Sequence, residues 1–177
     1  KQDIESHLGN FVVDAILTQA RLIHDAPLDM AVINNGGLRA PLPAGNITVS
    51  HIYELMPFEN TLYILELDAT QARGLFEHIP TRYSTSVANS VVLFKDDKVH
   101  KLFINGVPFD GQRKYLLAVS DYLAEGGMSS LQGAKVVARY DVKIRDMIMA
   151  HVKWISGQDR QINAEIEGRV KLLDDAE

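Results

Sequence analysis

The residues most able to do chemistry fall into two short stretches, Asn34-Asn35-Gly36-Gly37-Leu38-Arg39 and Met56-Pro57-Phe58-Glu59-Asn60. The first follows an apolar run, Ala31-Val32-Ile33, and places two amides, a glycine pair and a guanidinium within six residues. Glycine permits φ > 0 and lets the backbone approach a ligand closely, and a plain turn makes the same demand. A guanidinium presents a planar fork matched to phosphate or carboxylate oxygens. Metal chemistry has no comparable footing. The histidines at 7, 24, 51, 78, 100 and 151 stand apart, with no His-x-His or Asp-x-His pair, and there is no cysteine. A two-metal site needs several carboxylate, imidazole and amide ligands converging within a few ångströms.

Regular elements must hold these stretches in place. Residues 5–24 carry Leu8, Phe11, Val12, Ala15, Ile16, Leu22 and Ile23 at helical spacing, with Gly9 as a weak point and Pro27 as the stop. Residues 29–34 predict a buried strand, and 48–56 a short helix capped by Thr48 or Ser50 and ended by Pro57. A strand over 61–67 leads into a helix over 69–79, with Leu75, Phe76 and Ile79 inward. Residues 80–90 look polar and irregular; strands follow at 90–94 and 101–105, around the charged turn Lys95-Asp96-Asp97-Lys98. Asn105-Gly106 is a strong turn pair. Residues 114–124 form a strand entering a Gly-Gly loop, and 135–140 a short strand. A helix over 141–157, capped by Asp141 and stopped at Gly157, precedes a last strand over 165–173. The interleaved order predicts one α/β or α+β domain over residues 1–177.

With 177 residues, the chain can bury roughly 70% of its unfolded surface. A net charge of −5 without a basic tract argues against nucleic acid as a partner. No apolar run has the length of a membrane-spanning helix. The sequence opens on Lys1-Gln2-Asp3 without an initiator Met, as expected of a chain that has lost a leader or of a piece of something longer.

Asn34–Arg39, Gly45-Asn46-Ile47-Thr48 and Met56–Asn60 together resemble the C-terminal, substrate-binding domain of the 5′-nucleotidase / UDP-sugar hydrolase family. That family runs N-G-G-G-I-R, then G-x-I-T, then P-F-x-N. Leu8-Gly9-Asn10 with Asp14-Ala15 is similar to its first helix. Asn105-Gly106, Tyr115 and Tyr122-Leu123-Ala124-Glu125-Gly126-Gly127 are similar to its last strand and second substrate loop. The likeness runs in order along nearly the whole chain. It implies a mixed α/β fold with mixed sheets between helices in four layers, α-β-β-α.

The resemblance also implies roles. Phe58 and Tyr122 match two aromatics that clamp a base, Arg39 an arginine that reaches the phosphate end, and Asn34 an asparagine on the base edge. Gly37, Asn60 and Gly127 fall in the same substrate loops, although Asn60 could equally shape its turn. Without the resemblance, Phe58 reads as core, Tyr122 as a strand aromatic, Arg39 as a surface or carboxylate-paired residue and Asn34 as the end of a strand. Two departures stand out. The family reads G-G-D-G where this chain has Gly126-Gly127-Met128-Ser129-Ser130. Either Met128 takes the place of the Asp that holds the ribose hydroxyls, or an Asp-Gly pair is missing after Gly127. The family also carries an Arg just before the first helix, where this chain has Ile4.

The implied function is nucleotide recognition: a nucleotide or nucleoside monophosphate is bound for phosphomonoester hydrolysis by a metallophosphatase domain, fused upstream or on a separate chain. The two divalent metals belong to that domain and none to this one, and the expected setting is periplasmic, secreted or lipid-anchored. A stand-alone nucleotide-binding module and a non-catalytic scaffold are the alternatives.

Overall fold

The computed structural model describes residues 5–79 and 85–173. Among them α1 (His7–Ile23), β1 (Met30–Asn34), α2 (Val49–Leu55), β2 (Thr61–Leu67) and α3 (Ala69–Glu77) form the first half. β3 (Thr85–Ala88), β4 (Ser90–Lys95), β5 (Lys98–Ile104), β6 (Val107–Pro108), β7 (Tyr115–Ser120), β8 (Lys135–Lys143), α4 (Ile144–Ser156) and β9 (Val170–Leu172) form the second. Both sheets are mixed: a five-stranded one in the order β3-β1-β7-β2-β8 and a four-stranded one in the order β6-β5-β4-β9. The expected mixed α/β architecture is the one observed.

The larger sheet is apolar on both faces because each is covered. On one side Ala31, Ile33, Leu62, Ile64 and Ala118 meet α1, α2 and α4 through Val12, Ile16, Ile52, Leu55 and Ile148. On the other, Met30, Val32, Leu65, Leu117 and Val119 meet Val92, Phe94, Leu102 and Ile104 of the smaller sheet. Leu75, Phe76 and Ile79 point inward as expected, and α3 packs on this second core against strands of both sheets. The turns after Lys95 and Ile104 use Asp96, Asp97, Asn105 and Gly106 at positive φ, the backbone that tight hairpins require.

Several expectations need correction. The part of 80–90 that lies within the described residues is not irregular: Thr85–Ala88 is a strand buried at every position between α1 and β1. Its polar Thr85 and Ser86 hid it from a search for apolar runs. Asp141 caps nothing, because β8 continues to Lys143, the residue before α4. The strand over 114–124 ends at Ser120 and gives way to a wide helical turn, Leu123–Gly127. Only Val170–Leu172 of 165–173 is a strand. The stretch before it is held by polar groups instead: Glu5 accepts the Glu167 and Arg169 amides, each at 2.8 Å, and Arg169 grips Asp14 through two bonds of 2.7 and 2.6 Å. Leu22 is 75% exposed, since it lies about 200° around the helix from buried Ala20. Ser50 sits inside α2, whose cap is Thr48.

Gly9 is required by packing. A Cβ there would lie 2.0 Å from Ser86 Oγ and 2.7 Å from the capping Ser6 Oγ. Gly9→Ala should therefore lower stability by about 1–3 kcal/mol through overpacking. Helix propensity alone predicts a gain of roughly 1 kcal/mol. Chemical denaturation decides between the two signs.

Candidate functional site

Sheet order explains why residues far apart in sequence meet. β1 and β7 are parallel neighbours, so Asn34 and Tyr122 leave the sheet at the same end. β2 runs antiparallel to β7 with Leu62 opposite Ser120, which brings the chain entering β2, with Phe58 and Asn60, to that end too. In α/β sheets the crevice beyond the carboxyl ends of parallel strands is the usual place for a ligand.

A cleft of about 560 Å³ opens there. Asn34, Gly37, Arg39, Phe58, Asn60 and Tyr122 all line it, with Ile33, Met56, Ser120 and Ile144 as its floor. Of the residues singled out from sequence, Gly127 alone does not line it; its place is behind Tyr122. Phe58 is 42% and Tyr122 55% exposed, so neither ring is spent on the core. The Asn34 amide makes no hydrogen bond to another described residue, leaving one donor group and one acceptor available. Gly36 and Gly37 lie in a 3₁₀ turn, Asn35–Gly37, without positive φ, so the left-handed backbone that glycine permits is not used there. A Cβ on either would come into ordinary contact with the Asn34 amide, at 3.6–3.7 Å.

Arg39 is exposed, and its backbone is pinned by a 2.8 Å bond from its N–H to the Leu55 carbonyl. Its guanidinium donates only a long bond, 3.4 Å, to the Gly36 carbonyl. The carboxylate on the wall, Glu59, is already engaged: Arg145 donates to one oxygen at 2.6 Å and Lys143 to the other. These hydrogen bonds, from Lys143 first and Arg145 second, hold the Glu59 carboxyl below the usual carboxylate range against the opposing effect of burial. An aromatic pair, a free amide and an unneutralised guanidinium suit a planar polar ring that carries an anionic group.

Two positioning groups have no sequence signature. Arg145, 4% exposed, also donates to the Met56 and Phe58 carbonyls at 3.5 and 3.4 Å and lies 4.0 Å over the Tyr53 ring. The loop carrying Phe58 is thereby fastened to α4. Asp121 accepts from Asn60, Thr61 and the Tyr122 amide. Burial raises its carboxyl, but those hydrogen bonds outweigh it and leave the group below its ordinary value. Charged residues next to a helix or strand end read as surface until their partners are placed.

Met128 follows Gly127 directly in the full sequence, and its side chain is buried in the core between the sheets. No carboxylate stands at that position. Gly127 leaves room for Tyr122: a Cβ would come within 2.7 Å of both the Tyr122 ring and the Tyr122 carbonyl oxygen. Gly127→Ala should displace the ring and cost about 1–3 kcal/mol of stability from the clash. Melting curves together with the Tyr122 ring resonances test this.

Among the described residues no group of three or more His, Asp or Glu side chains is placed to hold a metal ion, and no helix is long and apolar enough to cross a membrane. Comparison with known proteins adds a family. A sequence model of the family described as "5′-nucleotidase, C-terminal domain" matches residues 1–133. The trifunctional nucleotide phosphoesterase protein YfkN of Bacillus subtilis (strain 168) is 38% identical over 73 residues, covering 41% of this chain and 5% of the relative. The apyrase of Tabanus yao is 24% identical over 96% of this chain and 35% of its own length. Among solved structures, a 5′-nucleotidase precursor from Thermus thermophilus superposes with a TM-score of 0.84 at 26% identity, covering 97% of this chain and 36% of the other. This chain spans little more than a third of these relatives at most.

Proposed function

Because this chain belongs to the 5′-nucleotidase family as its C-terminal domain, we propose that its cleft binds the nucleoside part of a nucleotide and presents the phosphate to a metallophosphatase domain. The carrying observation is the convergence of Asn34, Gly37, Arg39, Phe58, Asn60 and Tyr122 on one cleft with both rings open to solvent. Phe58 and Tyr122 hold the base between their faces, an arrangement indifferent to which base it is. Asn34 meets a base edge and Arg39 the phosphate. Residues 1–177 act as one domain, since β8, α4 and β9, beyond the matched stretch, complete the same two cores.

The relatives are much longer than this chain, which supports a catalytic domain on the same polypeptide or in a partner. Two divalent metals would supply the hydroxide nucleophile and stabilise the phosphoryl group in that domain. The described residues of this chain do not assemble such a site, and no step of hydrolysis is assigned to them. A periplasmic, secreted or lipid-anchored setting is part of the same proposal. The test uses purified chain with adenosine 5′-monophosphate and a generic phosphate ester, with Mn²⁺, Zn²⁺ or Co²⁺ present. Saturable nucleotide binding without phosphate release is expected. Turnover that follows this protein through purification would overturn the division of labour.

A further inference from the structure

The Asp121 carboxylate does not line the cleft but joins the two segments that carry its aromatic residues. One oxygen accepts the Asn60 side-chain amide at 2.7 Å and the Tyr122 backbone N–H at 2.6 Å, and the other accepts the Thr61 hydroxyl at 3.0 Å. Asn60 and Thr61 close the loop that carries Phe58, while Tyr122 is the opposite aromatic. These are the points where β2 begins and β7 ends, with Leu62 opposite Ser120 and Asp121 next in line with Thr61. Leu62–Ser120 is the last pair of this ladder, and beside it the Asp121 side chain links the end of β7 to the start of β2.

We propose that Asp121 is a positioning residue that sets the gap between Phe58 and Tyr122, and thereby the thickness of the planar group the cleft accepts. This rests on the reading of the cleft as a nucleoside site. A clamp tolerant of different bases still needs a fixed width, because stacking is lost once either ring drifts away. The Asn60 amide and the Thr61 hydroxyl reach the carboxylate from the start of β2, while the Tyr122 N–H bonds it locally as the next residue in the chain. One carboxylate thus ties the residue before Tyr122 to the two residues that close the Phe58 loop. Hydrogen bonds to an ionised acceptor are also stronger than neutral ones. The Phe58 carbonyl also accepts a bond of 3.4 Å from Arg145, so the loop of Phe58 is tied to α4 as well as to Asp121.

The chemistry of the bridge predicts which substitution is tolerated. In Asp121→Asn the amide oxygen keeps the bonds from Asn60 and Tyr122, and the new NH₂ donates to Thr61 Oγ1, whose hydroxyl can rotate to accept. In Asp121→Ala the bridge is gone.

The experiment compares the parent chain with Asp121→Ala, Asp121→Asn, Tyr122→Ala and the Asp121→Ala/Tyr122→Ala double variant. It reads adenosine affinity by calorimetry and hydrogen exchange at the Asn60 side-chain amide by NMR. Asp121→Ala should weaken adenosine about tenfold, Asp121→Asn by less than about threefold, and Asp121→Ala should cost under about twofold once Tyr122 is already gone, since coupled residues are non-additive. Parent-like affinity in Asp121→Ala, or the same loss in the Tyr122→Ala background, would overturn the proposal. A purely structural role would lower melting temperature in both backgrounds without this coupling. If the parent does not bind adenosine, the nucleoside reading falls and hydrogen exchange alone decides the bridge. Protection of the Asn60 side-chain amide in the parent and Asp121→Asn but not in Asp121→Ala supports it, and equal protection in all three refutes it.

Discussion

Phe58→Ala should weaken adenosine binding by about 1–3 kcal/mol, the usual contribution of one base–aromatic stack. The fold should barely register the change. Phe58 is 42% exposed and belongs to neither apolar core, so truncation leaves no enclosed cavity. A core phenylalanine would behave in the opposite way, losing roughly 3–5 kcal/mol of stability. Calorimetric titration and chemical denaturation on the same sample separate the two. Loss of stability with unchanged affinity would make Phe58 structural. The effect should not depend strongly on the base, because purines and pyrimidines both offer a face.

Arg39→Ala should show a different signature, one that depends on the phosphate. Its guanidinium is exposed and commits only the long bond to Gly36, so little stability rests on it. A hydrogen bond to a charged group is worth about 1.5–3 kcal/mol, so adenosine 5′-monophosphate should bind roughly tenfold to a hundredfold less tightly. Adenosine itself should bind as before. Arg39→Lys should recover only part of the loss, since an ammonium keeps the charge without the planar fork. Equal losses for nucleoside and nucleotide would remove Arg39 from the phosphate and make it a support for the turn at Asn35–Gly37. Raising the salt should shrink the difference between the two ligands, as expected for an exposed charge pair.

The site was legible in the sequence through ordered short motifs rather than through any single residue. Arg39, Phe58 and Tyr122 were legible through the loops that resemble the family, since by residue type alone they read as surface, core and strand, and the structure gathers them on one cleft. The apolar helices and strands were legible for the ordinary reason that their side chains repeat with the period of the element. Thr85–Ala88 was not, because its burial comes from lying between α1 and β1 rather than from an apolar pattern. Arg145 and Asp121 were hidden for a related reason. A charged side chain in sequence carries no mark of whether it faces water or a set of carbonyls and amides from a segment 60 to 90 residues away. The glycines were visible but ambiguous. Gly9 looked like a weakness in a helix and is a contact point with Ser86, and Gly36 and Gly37 form a 3₁₀ turn rather than a left-handed one.

The cleft at the end of the larger sheet is expected to hold a nucleoside between Phe58 and Tyr122. NMR of the chain with labelled backbone amides and aromatic rings, titrated with adenosine 5′-monophosphate, tests it most directly. Ring-current shifts should appear on both Phe58 and Tyr122, accompanied by the Asn34 side-chain amide and the Gly37 backbone amide, and all should saturate at one common dissociation constant. No shift at millimolar nucleotide, or shifts gathered on another face with both rings unmoved, would contradict it.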